Sequence, residues 1–132
     1  MRIYVASGLE NRARAAALIA YVQSLGHTIT YDWTKHGDVR DKGEDAMRAT
    51  ARNEADGVAS AALLIVLLPG GKGTHTELGM ALTTRASKRI WLWAENEAVF
   101  GGGGATCVFY HHPAIERFSC SLEALKDKIR SL

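Results

Sequence analysis

Two hydrophobic rhythms alternate along this chain. Arg2 to Ser7 (RIYVAS) is a short apolar run with strand character. Asn11 to Leu25 (NRARAAALIAYVQSL) is alanine-rich with apolar residues at helical spacing, and Gly26 stops it. His27 to Trp33 (HTITYDW) is β-branched and aromatic, which predicts a second strand. Thr34 to Gly43 is polar and aperiodic, a surface loop. Glu44 to Ser60 returns to helical composition. Ala62 to Leu68 is apolar at every position, the mark of a central strand covered on both faces. A glycine turn follows, then a helix over Thr74 to Ala86. Ile90 to Ala94 (IWLWA) reads as a fourth strand, Thr106 to Tyr110 (TCVFY) as a fifth, and Ser121 to Leu132 as a closing amphipathic helix.

Strands separated by helices of this length imply right-handed βαβ crossovers. The expected fold is α/β, a three-layer αβα sandwich around a five-stranded parallel sheet, flavodoxin- or Rossmann-like, with residues 1–132 forming one domain. Ligands of such sheets sit at the carboxyl ends of the strands, where strand order reverses. That edge gathers Ser7 and Gly8, the loop after Trp33, and the turn Gly70-Gly71-Lys72-Gly73. The short GGGG run, Gly101 to Gly104, is expected as a mobile loop near the same edge.

Composition narrows the class of partner. A formal net charge of +2 without a basic run argues against a nucleic-acid polymer or a membrane surface. The longest apolar run falls well short of the ~20 residues needed to span a bilayer. The opening MRIYVAS has no charged-then-apolar leader, and Cys107 and Cys120 match no metal or redox spacing. The expectation is a soluble cytoplasmic protein that needs no metal or other cofactor.

Candidate chemistry concentrates in LLPGGKGTHTELGMAL, Leu67 to Leu82. Gly70, Gly71 and Gly73 let a ligand approach the main chain closely, and Thr74 offers a cap or a hydroxyl. Lys72 precedes Gly73, so the segment is not a P-loop. The glycines alone suit a tight strand-to-helix turn as well as a phosphate cradle. Glu77 likewise has two readings. A glutamate near a helix start is stabilised by the helix dipole by about 0.3–1 kcal/mol, which would lower its pKa. An ionised carboxylate beside a sugar-phosphate site can also stabilise, or bond to, an electron-deficient sugar carbon.

Four segments together resemble the nucleoside 2-deoxyribosyltransferase family and its relatives that hydrolyse nucleoside 5'-monophosphates. They are IYVASG at Ile3 to Gly8, GHTITYDW at Gly26 to Trp33, NEADGV at Asn53 to Val58 and GTHTELGMA at Gly73 to Ala81. The resemblance implies cleavage of the N-glycosidic bond of a nucleoside or nucleotide, by hydrolysis or base exchange. It implies Glu77 as nucleophile, Tyr4 as its hydrogen-bonding partner, and Ser7, Gly8 and the nearby Arg12 toward the sugar 5' side. Glu54 stands where the family usually has an aspartate directed at the base, and it keeps an acid there with one more methylene. Asp56, two residues on, belongs on another helical face. Two further family carboxylates are missing, replaced by Ala62 and Gly71, which favours hydrolysis over transfer and leaves a non-catalytic nucleotide sensor as the alternative. The resemblance also implies a homodimer or larger homo-oligomer, with a neighbouring subunit closing the pocket.

PGGKGTHTE, Pro69 to Glu77, is also similar to the signature of Lonely Guy-type phosphoribohydrolases, which implies the same bond and a phosphate near Gly70 to Thr74. The expected site is thus Glu77, Tyr4 and Glu54 for chemistry, with Ser7, Gly8, Gly70, Gly71, Gly73 and Thr74 holding substrate. Elsewhere, His75 reads as a packing residue or a ligand-edge hydrogen bonder, Trp33 as a strand end able to stack on a base, and His111-His112-Pro113 as a turn.

Overall fold

The computed structural model describes all 132 residues. Five strands form one all-parallel sheet in the order β2-β1-β3-β4-β5: β1 (Arg2–Ser7), β2 (Thr28–Ile29), β3 (Leu63–Leu67), β4 (Arg89–Ala94) and β5 (Ile115–Ser119). Four α-helices cover it: α1 (Arg12–Ser24), α2 (Glu44–Ser60), α3 (Lys72–Thr83) and α4 (Leu122–Arg130). Helices α1 and α4 pack together on one face, α2 and α3 on the other. The fold is the expected three-layer Rossmann-like α/β sandwich, with the flavodoxin order of strands.

Sequence and burial agree best at the centre. Every residue of β3 is buried, because both neighbouring strands and both helical layers cover it. β1 and β3 pair in register from Ile3↔Leu63 to Ser7↔Leu67. The pleat therefore turns Tyr4 and Leu64 toward α2 and α3, and Ile3 and Leu63 toward α1. α2 is tied down at its carboxyl end by Lys88, which is 8% exposed. Its ammonium donates to the carbonyls of Val58 (2.8 Å) and Ala61. A cation at that end satisfies carbonyls the helix leaves unpaired.

Two strands differ from the sequence reading. The fifth is Ile115–Ser119, not Thr106 to Tyr110; the latter stretch runs into a 3₁₀ turn, Val108–His111, with Val108 and Phe109 exposed. β5 is an edge strand selected by long-range contacts: Arg89 pairs with Glu116 at 3.0 Å, and Trp91 meets Phe118 edge-on at 5.1 Å. The second strand pairs only at Thr28–Ile29. Trp33 leaves it for a 3₁₀ turn capped by Asp32, and its indole N–H donates back to the Val5 carbonyl at 2.8 Å. The GGGG run does lie beyond the carboxyl end of β4, but Gly101 lines a separate opening from the one described next.

Candidate active site

Between β1 and β3, where the strand order reverses, a cleft of about 550 Å³ opens at the carboxyl edge of the sheet. Glu77 lies at its inner end, 6% exposed. It belongs to the buried stripe of α3 with Thr74, Leu78 and Ala81, the i, i+3, i+4, i+7 positions of a helix packed on a sheet. Tyr4, fully buried on β1, donates its hydroxyl to Glu77 Oε2. The Tyr4 ring reaches this position because α2 carries glycine at 57. A Cβ there would stand 2.9 Å from the Tyr31 Cβ and 3.0 Å from the Tyr4 ring.

Burial overturns one sequence expectation. The Glu77 carboxyl is pushed up to about 8 rather than lowered, first by loss of water, against the Tyr4 hydrogen bond that favours the ionised form. The charge of Glu54 pushes the same way as burial. α3 begins at Lys72, so Glu77 lies in its second turn, and the dipole fades within the first. Desolvation therefore wins. Tyr4 is pushed far upward, by burial first and then by Glu77, so it stays a donor.

Glu54 forms part of the cleft wall from α2, half-buried, while Asp56 is exposed on another face and does not reach the cleft. The pKa of Glu54 is raised by burial and opposed only by the nearby His36; no hydrogen bond acts on it. The loop after Trp33, polar and patternless in sequence, makes the facing wall with His36, Gly37, Asp38, Val39 and Arg40. Arg40 is held by Asp38 through a fork of bonds, the shortest 2.6 Å. Trp33, 4% exposed, borders the cleft with its N–H already committed to Val5.

The glycine turn divides into two kinds of residue. Gly71, Gly73 and Thr74 line the cleft together with Lys72, and added side chains at Gly71 or Gly73 would meet open space. Gly70 does not line it. A Cβ at Gly70 would fall 2.4 Å from the Thr74 methyl group, so that glycine serves helix packing rather than a ligand. Thr74 is 3% exposed, and its hydroxyl accepts the Gly71 N–H at 3.3 Å, closing the first turn of α3. Gly8 lines the opposite rim beside Ser7. The Ser7 hydroxyl donates to the Leu67 carbonyl at 2.7 Å and accepts from Asn11 at 2.9 Å, so it offers a ligand one remaining lone pair. Arg12 is turned away, donating to the Thr34 carbonyl at 2.6 Å and packing beside Gly37; it is not among the cleft-lining residues.

Sequence reasoning brought the loop after Trp33 and the turn holding Lys72 to this edge but did not single out His36, Arg40 or Lys72 as site residues. Lys72 was visible inside the glycine motif. His36 and Arg40 carried no periodic signal, because a loop's side chains point where its anchors place them. His75 is a structural clamp: Nδ1 donates to the Gly71 carbonyl (2.6 Å) and Nε2 pairs with the Tyr110 hydroxyl (2.6 Å). His112 accepts the Ala114 N–H at 3.0 Å, in keeping with the expected turn.

Chemically, the carboxyl groups of the cleft include two of unequal burial, Glu77, hydrogen-bonded by a phenol, and the half-buried Glu54. Such a pair can keep a proton on one member while presenting the other, ionised, to an electron-poor carbon. No protein-family model matches this chain, and no curated protein sequence matches it. In three dimensions it is similar to the solved structure of the Clostridium botulinum CMP N-glycosidase BcmB, with a TM-score of 0.61 and 19% identity over 100% of both chains. That likeness, extending over the whole length, is one of fold.

Proposed function

We propose that this protein cleaves the N-glycosidic bond of a nucleoside 5'-monophosphate, with Glu77 at the anomeric carbon of the sugar. The observation that carries the reading is the buried Tyr4–Glu77 hydrogen bond at the inner end of the switch-point cleft. A structural glutamate gains little from such a place, since its burial opposes ionisation. A nucleophile gains a dry carboxylate aimed by a donor that cannot itself ionise.

In this reading the ionised fraction of Glu77, which grows as pH rises toward about 8, attacks C1', and the base departs with the bond's electron pair while Glu54 supplies a proton to it. Water then completes hydrolysis; a second base in its place would complete an exchange. Gly71, Gly73, Thr74 and Lys72 face the sugar-phosphate end, with Ser7 and Gly8 across the cleft. The nucleotide substrate is suggested by the resemblance of the catalytic segment and by the CMP N-glycosidase activity of the structural neighbour. A homodimer or larger assembly, with a second copy at the cleft mouth, belongs to the same reading.

The test is direct. Incubation with ribo- and deoxyribonucleoside 5'-monophosphates releases free base, seen by chromatography, and a slow-turnover 2-fluoro sugar analogue leaves a glycosyl mass on the peptide containing Glu77. Nucleotide binding without base release would make the protein a sensor. An adduct on Glu54 would reverse the two carboxyl roles.

A further inference from the structure

Glu10 and Asp38 are the exposed acids of the cleft wall, and they are held differently. Asp38 is forked by Arg40, with a shortest bond of 2.6 Å. Glu10 enters none of the protein's ion pairs. Its carboxyl group folds back over Gly8 on the rim instead. Cδ and Oε2 stand 2.7 Å from the point a Cβ at Gly8 would occupy, and Oε1 lies closer still. Glycine at position 8 therefore leaves the seat that this carboxylate fills. The rim itself is anchored: the Gly8 N–H donates to the Pro69 carbonyl at 3.2 Å, and the Asn11 N–H to the Gly8 carbonyl at 2.9 Å.

The neighbouring charges decide what can lie beside it. Of the Lys and Arg side chains that line the cleft, Arg40 is spent on Asp38, while Lys72 on the opposite rim takes part in no ion pair. The cations nearest to Glu10 in sequence are engaged elsewhere, Arg12 with the Thr34 carbonyl at 2.6 Å and Arg14 with Glu95 at 3.3 Å. An anion lying between the rims is drawn by Lys72 and opposed by Glu10.

We propose that Glu10 is a specificity-determining residue, a negative charge on the Gly8 rim that admits a single phosphate at the 5' end of the sugar and turns away a chain of phosphates. The inference rests on the glycosidase reading, which puts the sugar-phosphate end between these two rims. A single phosphate lies at the glycine turn beside Lys72. Each further phosphate adds negative charge that the carboxylate opposes and that no second free cation in the cleft offsets. Selectivity of this kind comes from repelling the wrong ligand rather than from an added contact to the right one. Between exposed groups such repulsion grows with the charge of the ligand and fades with salt.

The experiment is the Glu10→Gln variant, which keeps the shape of the side chain and removes its charge. It is assayed at low ionic strength on a nucleoside, its 5'-monophosphate and its 5'-diphosphate, with free base measured by chromatography. The gain in kcat/KM over wild type is smallest for the nucleoside, about tenfold for the monophosphate and about thirtyfold for the diphosphate, roughly threefold per added charge. At about 1 M salt, where screening acts within about 3 Å, those gains collapse. Glu10→Lys carries the same trend further. Equal gains on all three substrates would make the carboxylate an obstacle by bulk and overturn the charge filter, as would no gain on any. Titration calorimetry with the same ligands separates this inference from the reading beneath it. Tightening graded by ligand charge, in a protein that releases no base, keeps the filter and removes the glycosidase. Base release with an unmoved ratio of monophosphate to diphosphate keeps the glycosidase and removes Glu10 from its specificity.

Discussion

Two of the openings at the carboxyl edge of the sheet are built from opposite materials. One, at the β1/β3 switch point, is the cleft with the buried Glu77 and its phenol partner. The other, of about 350 Å³, lies beyond β4 and β5 and is lined by Glu97, Phe100, Gly101, Arg117 and Ser119. There the cation stacks on an aromatic face, Arg117 over Phe100 at 5.1 Å, and bonds the exposed His111. Nothing in that second opening withholds an acid from water. The comparison separates a hole in the surface from a site. Volume arises wherever strands end, whereas a buried titratable group persists only when something offsets its desolvation.

Substitution at the first opening should have effects that the second cannot reproduce. The largest is expected from Glu77→Gln, which removes the carboxylate with almost no change of shape: base release falls by at least about 10³-fold in a protein of unchanged circular dichroism, measured by chromatography of the free base. Tyr4→Phe comes next. It deletes one hydrogen bond to a charged group, about 1.5–3 kcal/mol, so kcat/KM drops roughly 10- to 100-fold, and the pH at which Glu77 ionises rises because the donor that opposes burial is gone.

A smaller effect concerns stability. Glu77 is held at about 8 in the folded protein against an ordinary 4.5. Between those values the native state keeps a proton that the unfolded chain has lost, so stability falls as pH rises through that window. Below it, both states are protonated and the native preference is fully present. Thermal melts of wild type and Glu77→Gln should therefore diverge on raising pH from 5 to 9, the variant ending about 1–2 kcal/mol more stable after allowance for water entering the cleft. Glu54→Gln narrows that divergence, since it removes a charge that raises Glu77. The smallest effect completes the contrast: Arg117→Ala, in the second opening, changes base release by less than about twofold, because an exposed cation engaged with surface groups contributes little. A loss comparable to that of Tyr4→Phe would show that the second opening is also part of the site.

Much of this molecule follows from local sequence because local physics suffices there. The unbroken apolar run of β3, the alanine-rich α1 and the polar α2 each carry their own period. The order of those elements implies a parallel sheet with an edge where ligands gather. The glycine-rich turn and Glu77 could be placed at that edge before any coordinate was known. What needed the third dimension is whatever depends on neighbours distant in sequence. Thr106 to Tyr110 has the side chains of a strand, yet the lesser-looking Ile115–Ser119 pairs with β4, since Arg89 and Trp91 choose among candidates the local pattern cannot rank. Glu77 reads as a helix-start anion by position and becomes a proton-retaining acid by burial, which no spacing reports. Gly70 and Gly71 are adjacent and identical, and only the Thr74 methyl group above one of them tells a packing glycine from a cleft glycine. Periodicity is a short-range property and survives in the sequence; desolvation and pairing are sums over the folded surroundings, and they exist only once the chain has closed on itself.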